Sequence, residues 1–92
     1  MTAFVVCHVE RQGRSSRSTR LLLSKRIAEL WKGTLQLDGT WIVEADKTSD
    51  QVRDELTGCL SDGDALLVIG ASVDAAWAGF QAAECDWLVE HI

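Results

Sequence analysis

Hydrophobic and polar positions follow two different periods along this chain, and the changes of period divide it into elements. Thr2 to Val9, TAFVVCHV, is almost continuously apolar, β-branched or aromatic, which predicts a strand covered on both faces. Ala3, Val5, Cys7 and Val9 share one face, and Phe4, Val6 and His8 the other, because successive side chains alternate. The next ten residues, ERQGRSSRST, hold Gly13 and three arginines among serines and a threonine. That composition breaks the strand and predicts an exposed loop whose hydroxyls can cap the next helix. From about Arg20 to Trp31, the apolar residues Leu23, Ile27, Leu30 and Trp31 recur at helical spacing, with Lys25, Arg26 and Glu29 outward and Gly33 just beyond as a stop.

The rest of the chain is organised around Thr34 to Ala45, TLQLDGTWIVEA, in which Asp38-Gly39 joins two β-favouring runs. This pair tolerates the positive φ angles of a two-residue type I′ turn, so the stretch predicts a hairpin. Leu35 and Leu37 share one face of their strand; Trp41 and Val43 point to one side of theirs, and Thr40, Ile42 and Glu44 to the other. Thr48 with Gln51 has the form of a capping box, Asp50 sits in the first turn, and Val52, Leu56, Cys59 and Leu60 make the apolar stripe of a second helix. After the turn cluster Ser61-Asp62-Gly63-Asp64, Ala65 to Ile69 is again apolar on both faces and predicts a second well-covered strand. The last segment spaces Ala76, Trp77 and Phe80 on one helical side behind Ser72 as a cap, then resumes with Trp87, Leu88 and Ile92, which predicts two short helices interrupted near Gly79.

Strand, helix, hairpin, helix, strand predicts an α+β fold: a ferredoxin-like βαββαβ domain over residues 1–92, with a four-stranded antiparallel sheet in order 4-1-3-2 and a helical C-terminal extension. Both helices of that topology lie on one sheet face. The other apolar face needs a cover, which Trp77, Phe80 and Trp87 can supply within the subunit or across a dimer.

Composition narrows the class of protein without choosing a function. Ninety-two residues make one core, and 47% hydrophobic with 25% charged residues is ordinary for a globular domain. No apolar run approaches the ~20 residues that span a bilayer, and Met1 leads straight into a strand without a signal pattern. These features predict a cytoplasmic protein with no membrane partner. Cys7, Cys59 and Cys85 are an odd number at wide spacing, which suits buried small hydrophobes rather than a disulfide frame or zinc site. Net charge is −5, but residues 1–32 carry +5 and residues 33–92 carry −10. A division of that kind fits either a basic surface for nucleic acid or two opposed surfaces that meet in a fold or an oligomer.

Four stretches, TWIVEADKTSDQVRDEL (40–56), DALLVI (64–69), AAWAGF (75–80) and WLVEHI (87–92), together resemble the SinR-like family of small bacterial and phage proteins. That family stands beside the VapD-like ribonucleases and the small dimeric protein of CRISPR spacer acquisition. The resemblance runs from Phe4 to the end and rests on order and pattern more than on a chemical signature. It implies the ferredoxin-like fold, homodimerisation and a place in nucleic-acid biology. Such relatives end the first strand with an acidic residue in a Tyr-Asp-Leu type sequence, where this chain has Cys7, His8 and Val9. In the nuclease members, paired copies of that acid are proposed to hold a metal, so the departure implies a protein without metal-dependent nuclease activity.

The residues themselves offer three candidate sites. Imidazole titrates near neutrality, so His8 suits general-base work, but its only useful sequence neighbours are Glu10 and Arg11, and a lone histidine is more often structural. Asp62, Asp64 and Asp74 gather near the ends of the fourth strand, where acids commonly serve turns and helix starts. The best candidate is Arg11, Arg14, Arg17 and Arg20, because guanidinium groups beside hydroxyls and a helix start suit phosphate. No Gly-Lys-Ser end makes this a Walker loop. The reading at this level is a homodimeric, nucleic-acid-associated protein binding RNA or DNA, with no catalytic residue, metal or cofactor. A toxin-like ribonuclease using His8 and a protein-interaction module of a mobile element or defence system stand as alternatives.

Overall fold

The computed structural model describes residues 2–9, 16–31, 34–37, 39–60, 63–71 and 75–91. The elements run β1 (Thr2–Val9), α1 (Ser16–Leu30), β2 (Thr34–Leu37), β3 (Thr40–Ala45), α2 (Ser49–Leu56), β4 (Ala65–Gly70) and α3 (Ala82–His91), with a 3-10 turn at Thr57–Cys59 after α2. The strands form one open antiparallel sheet ordered β2-β3-β1-β4. Read from the other edge, this is the expected 4-1-3-2. The fold is thus mixed α+β. No helix among the described residues is long and apolar enough to cross a membrane.

Register makes the sheet two-sided. Phe4 pairs with Val43 and Val6 with Trp41, so the even positions of β1 and the odd positions of β3 share a face. On that face Phe4, Val6, Trp41, Val43 and Ala45 join Leu23, Ile27 and Trp31 from α1 and its end, and Val52 and Leu56 from α2, in one buried cluster. Both helices therefore cover the same side. Trp41 is fixed there by its polar edge as well as its area, because indole Nε1–H donates to Ser24 Oγ of α1 at 3.2 Å. Arg26 Nη2 reaches Glu55 Oε2 at 3.0 Å and ties α1 to α2 at the surface, where such a pair contributes little.

Local chemistry sets the element boundaries. Thr48 closes the expected capping box: its hydroxyl accepts from the Gln51 N–H at 3.4 Å, and Gln51 Oε1 accepts from the Thr48 N–H at 2.9 Å. The Thr48 hydroxyl also donates to Asp50 Oδ1, and this bond, helped by backbone N–H groups and Arg53, holds the Asp50 carboxyl below the usual carboxylate range. The hairpin pairs Leu37 with Thr40 across a two-residue loop. Gly39 has φ of +85°, as the turn requires; Asp38 lies outside the described residues.

Three expectations are corrected. Helix α1 begins at Ser16, one turn before Arg20, because Thr19 is buried one turn ahead of Leu23 and extends the stripe backward. Among the described residues the C-terminal segment holds one helix, α3, instead of two; residues 75–81 are irregular, and Gly79 takes φ of +83°. The helix starts only after Gln81, whose N–H donates to Glu84 Oε1 at 2.9 Å as half a capping box. Nor is β4 covered on both faces: Leu67 and Ile69 are each 50% exposed, since β4 is an edge strand and both helices of the core lie on the opposite side.

The positive φ at Gly39 generates a test. A left-handed conformation costs a residue bearing Cβ roughly 1–2 kcal/mol, and a Cβ there would also stand 2.9 Å from the Arg20 guanidinium. Gly39→Ala is therefore expected to lower stability by about that amount, whereas Gly58→Ala, with open space around it, leaves it unchanged or slightly raised. Urea unfolding midpoints compare the two, and equal midpoints would contradict the turn geometry.

Candidate functional site

Because β1 and β4 run antiparallel, the end of the first strand lies beside the start of the last: His8 stands opposite Leu66, and Val9 opposite Ala65. Asp64, one residue before β4, is thereby delivered to His8. Nε2 of His8 lies 3.1 Å from Asp64 Oδ2, and the two side chains are 0% and 2% exposed. The His8 backbone N–H donates to the carbonyl of Gly39 at 3.1 Å, so the hairpin turn closes the same end of the sheet. Arg20 of α1 lies on that turn, with its guanidinium where a Gly39 Cβ would point. Thr19 beside it is buried, and Thr19, Arg20 and Asp64 are each engaged in further contacts.

With Asp64 as an accepting carboxylate, Nε2–H of His8 is the donor of this bond. Among the described residues its Nδ1 is buried without a hydrogen-bond partner. A carboxylate holding one imidazole nitrogen while the other stays basic is the arrangement of a general base. A base must also come within hydrogen-bond reach of the proton it takes. Here the imidazole is enclosed on the helix-covered face, so the pair ties the end of β1 to the residue that leads into β4.

The sequence candidates are placed unevenly. Arg11 and Arg14 lie outside the described residues; Arg17 falls within α1, but its side chain lies outside them. Arg20 is partly buried over the turn. Asp62 and Asp74 lie outside the described residues, so only Asp64 of the three acids is placed. Among the described residues no three His, Cys, Asp or Glu side chains gather to hold a metal ion. Trp77 and Trp87 are partly buried and Phe80 is exposed. Trp87 stacks on His91 with centroids 4.2 Å apart, and His91 Nδ1–H donates to the Trp87 carbonyl at 2.8 Å, so this pair is internal to α3. Leu88 of α3 is buried outside the main core cluster.

No family model, curated protein or solved structure matches this chain.

A second feature is the sheet face away from the core helices. Val5, Cys7, Leu35, Leu37 and Ile42 are partly exposed there, while Val9, Leu67 and Ile69 are exposed. At the β4 edge an open groove of about 220 Å³ is lined by Ser49, Asp50 and Arg53 of α2 and by Leu66, Leu67 and Val68. Sequence reasoning missed the His8–Asp64 contact although the 4-1-3-2 order contained it, because antiparallel neighbours bring the end of one strand to the start of the other.

If this tie is structural, its loss appears in stability. A hydrogen bond to a charged group contributes about 1.5–3 kcal/mol, so His8→Ala is expected to destabilise by that order, and Asp64→Asn, which keeps an acceptor, by less. Denaturant unfolding measures both, and a His8→Ala midpoint equal to that of the natural chain would contradict the assignment.

Proposed function

We propose that this chain is a ferredoxin-like, self-associating protein of the SinR-like kind, acting in association with nucleic acid and without metal-dependent nuclease chemistry. The βαββαβ order, the 4-1-3-2 sheet and two helices on one face support the ferredoxin-like part of the reading. The observation that carries self-association is the other face, where Val9, Leu67 and Ile69 remain exposed beside a row of partly exposed apolar residues. An apolar surface of that kind on a small chain marks an interaction site, and a second copy is the partner that needs no other component.

Nucleic-acid association rests on the arginines. Arg11 and Arg14 fall in the serine-rich stretch of sequence before α1 and Arg17 in the first turn of that helix, and two copies of the chain would bring six guanidinium groups to one assembly. Arg20 contributes less, since it lies against the hairpin turn. The ribonuclease alternative needs His8 at a substrate, and the enclosure of His8 with Asp64 argues against it. Metal-dependent cleavage is disfavoured by Cys7, His8 and Val9 where the resembling family carries an acid. Magnesium and manganese prefer oxygen ligands, which imidazole does not supply.

Light scattering is expected to give twice the chain mass of 10.1 kDa; a single-chain mass at every concentration would remove the self-association. Binding to single-stranded RNA or DNA is expected to weaken steeply with salt, and Arg14→Ala with Arg17→Ala to flatten the slope by about 0.7 for each phosphate no longer neutralised. Affinity indifferent to salt and to both changes would leave the protein-interaction module as the reading.

A further inference from the structure

We infer that the self-association runs through the outer edge of β4, two copies pairing antiparallel about a two-fold axis at Val68 to make one continuous eight-stranded sheet. The inference rests on the self-association proposed above and names its interface. It starts from which way the backbone of β4 points. Ala71 N–H donates to the Ala3 carbonyl at 2.8 Å, which makes Ala3 and Ala71 a hydrogen-bonded pair. Hydrogen-bonded and non-hydrogen-bonded pairs alternate along an antiparallel ladder, so Ile69 and Leu67 direct their N–H and C=O groups to Val5 and Cys7 of β1. The His8 N–H turns the other way, to Gly39, as the same alternation demands. Leu66, Val68 and Gly70 therefore direct theirs outward, and no described residue bonds to them.

An open edge of this kind is a template for another strand, and proteins that keep such an edge unpaired place Lys, Pro, a bulge or an inward charge on it. The strand Ala65–Gly70 reads ALLVIG and has none of these residues. Its side chains carry the signature on both faces. Leu66 and Val68 pack toward the core while Leu67 and Ile69 are half exposed.

The occupant is set by symmetry and charge. With the axis at Val68, Leu66 of one copy meets Gly70 of the other and Val68 meets its own equivalent, so all three outward residues are used in both copies. The same register sets Leu67 opposite Ile69 twice, burying the two half-exposed side chains against each other as close cross-strand pairs. The groove along the edge is lined by Asp50 and Arg53 of the same helix, and the Arg53 guanidinium is held by the neighbouring Asp54 at 2.9 Å, so the groove brings no unpaired cation to the edge. The chain is net −5, yet residues 65–71 are uncharged, and the repulsion between copies does not fall on the pairing strand.

Proline tests this directly, because at Val68 or Gly70 it removes an N–H that β1 does not use and is tolerated on an edge strand. Gly70→Pro is the milder variant: Gly70 is exposed, and a Cβ there is in ordinary contact with Phe4 at 3.8 Å. Thr40→Lys serves as the comparison, since it charges the open face opposite Cys7 without touching the edge. Sedimentation velocity across a concentration series is expected to show the natural chain and Thr40→Lys as dimers. Val68→Pro and Gly70→Pro should dissociate at least tenfold more readily, with circular dichroism unchanged for Gly70→Pro. Dimers that survive both prolines but fail with Thr40→Lys would overturn edge pairing while leaving self-association standing through the open face. A natural chain that stays monomeric would overturn both. An added extended peptide that binds such a monomer, and is lost with Gly70→Pro, would assign the edge to another protein and equally overturn the inference.

Discussion

The antiparallel ladder between β1 and β4 is the interaction on which the rest of the molecule depends. It joins strands that lie at opposite ends of the fold's sequence, from Phe4 with Gly70 to Val9 with Ala65, and so holds the last strand to the first. Closing so long a loop costs entropy before any contact offsets it. The offset comes at both ends of the ladder. At one end Asp64 meets His8 inside the fold; at the other Ala71 adds a backbone bond to Ala3. A strand held on one side only is by the same act left open on the other, so the ladder that completes the sheet also creates its free edge.

The core is equally one-sided. Trp41 sits on β3 under α1, bonded to Ser24, with Val6 as its cross-strand neighbour on β1. Leu23, Ile27, Val52 and Leu56 complete the layer. These residues turn the buried stripes of α1 and α2 to one face of the sheet, while Leu67 and Ile69 on the other are half exposed. The exposed apolar surface of the sheet therefore lies on that other side and at its edge, whereas the polar pair of His8 and Asp64 lies within the covered layer.

Much of this was legible in the residues. The Asp38-Gly39 hairpin, the Thr48–Gln51 box and the alternation in β1 are local signals, strong because each is decided by a few neighbouring atoms, and together they yield the strand order. What was not legible depended on tertiary contact. The serine-arginine stretch reads as loop by composition, yet α1 starts at Ser16, where burial of Thr19 outweighs propensity. Trp77 and Phe80 mimic a helical stripe that the backbone does not follow. ALLVI is apolar on both faces, which resembles a central strand; only the sheet order shows that it is an edge. His8 had no partner within reach along the chain, because its partner comes from a turn 56 residues away.

Amide hydrogen exchange resolved residue by residue tests the central claim, that β4 is bonded to β1 on one side and offers its other side to a second copy. Leu67 and Ile69 amides, directed at β1, are expected to be protected at every protein concentration. Leu66, Val68 and Gly70 amides, directed outward, are expected to exchange quickly in dilute solution and to gain protection together as concentration rises. Equal protection of all five amides in dilute solution, or outward amides that stay fast at every concentration, would contradict the account.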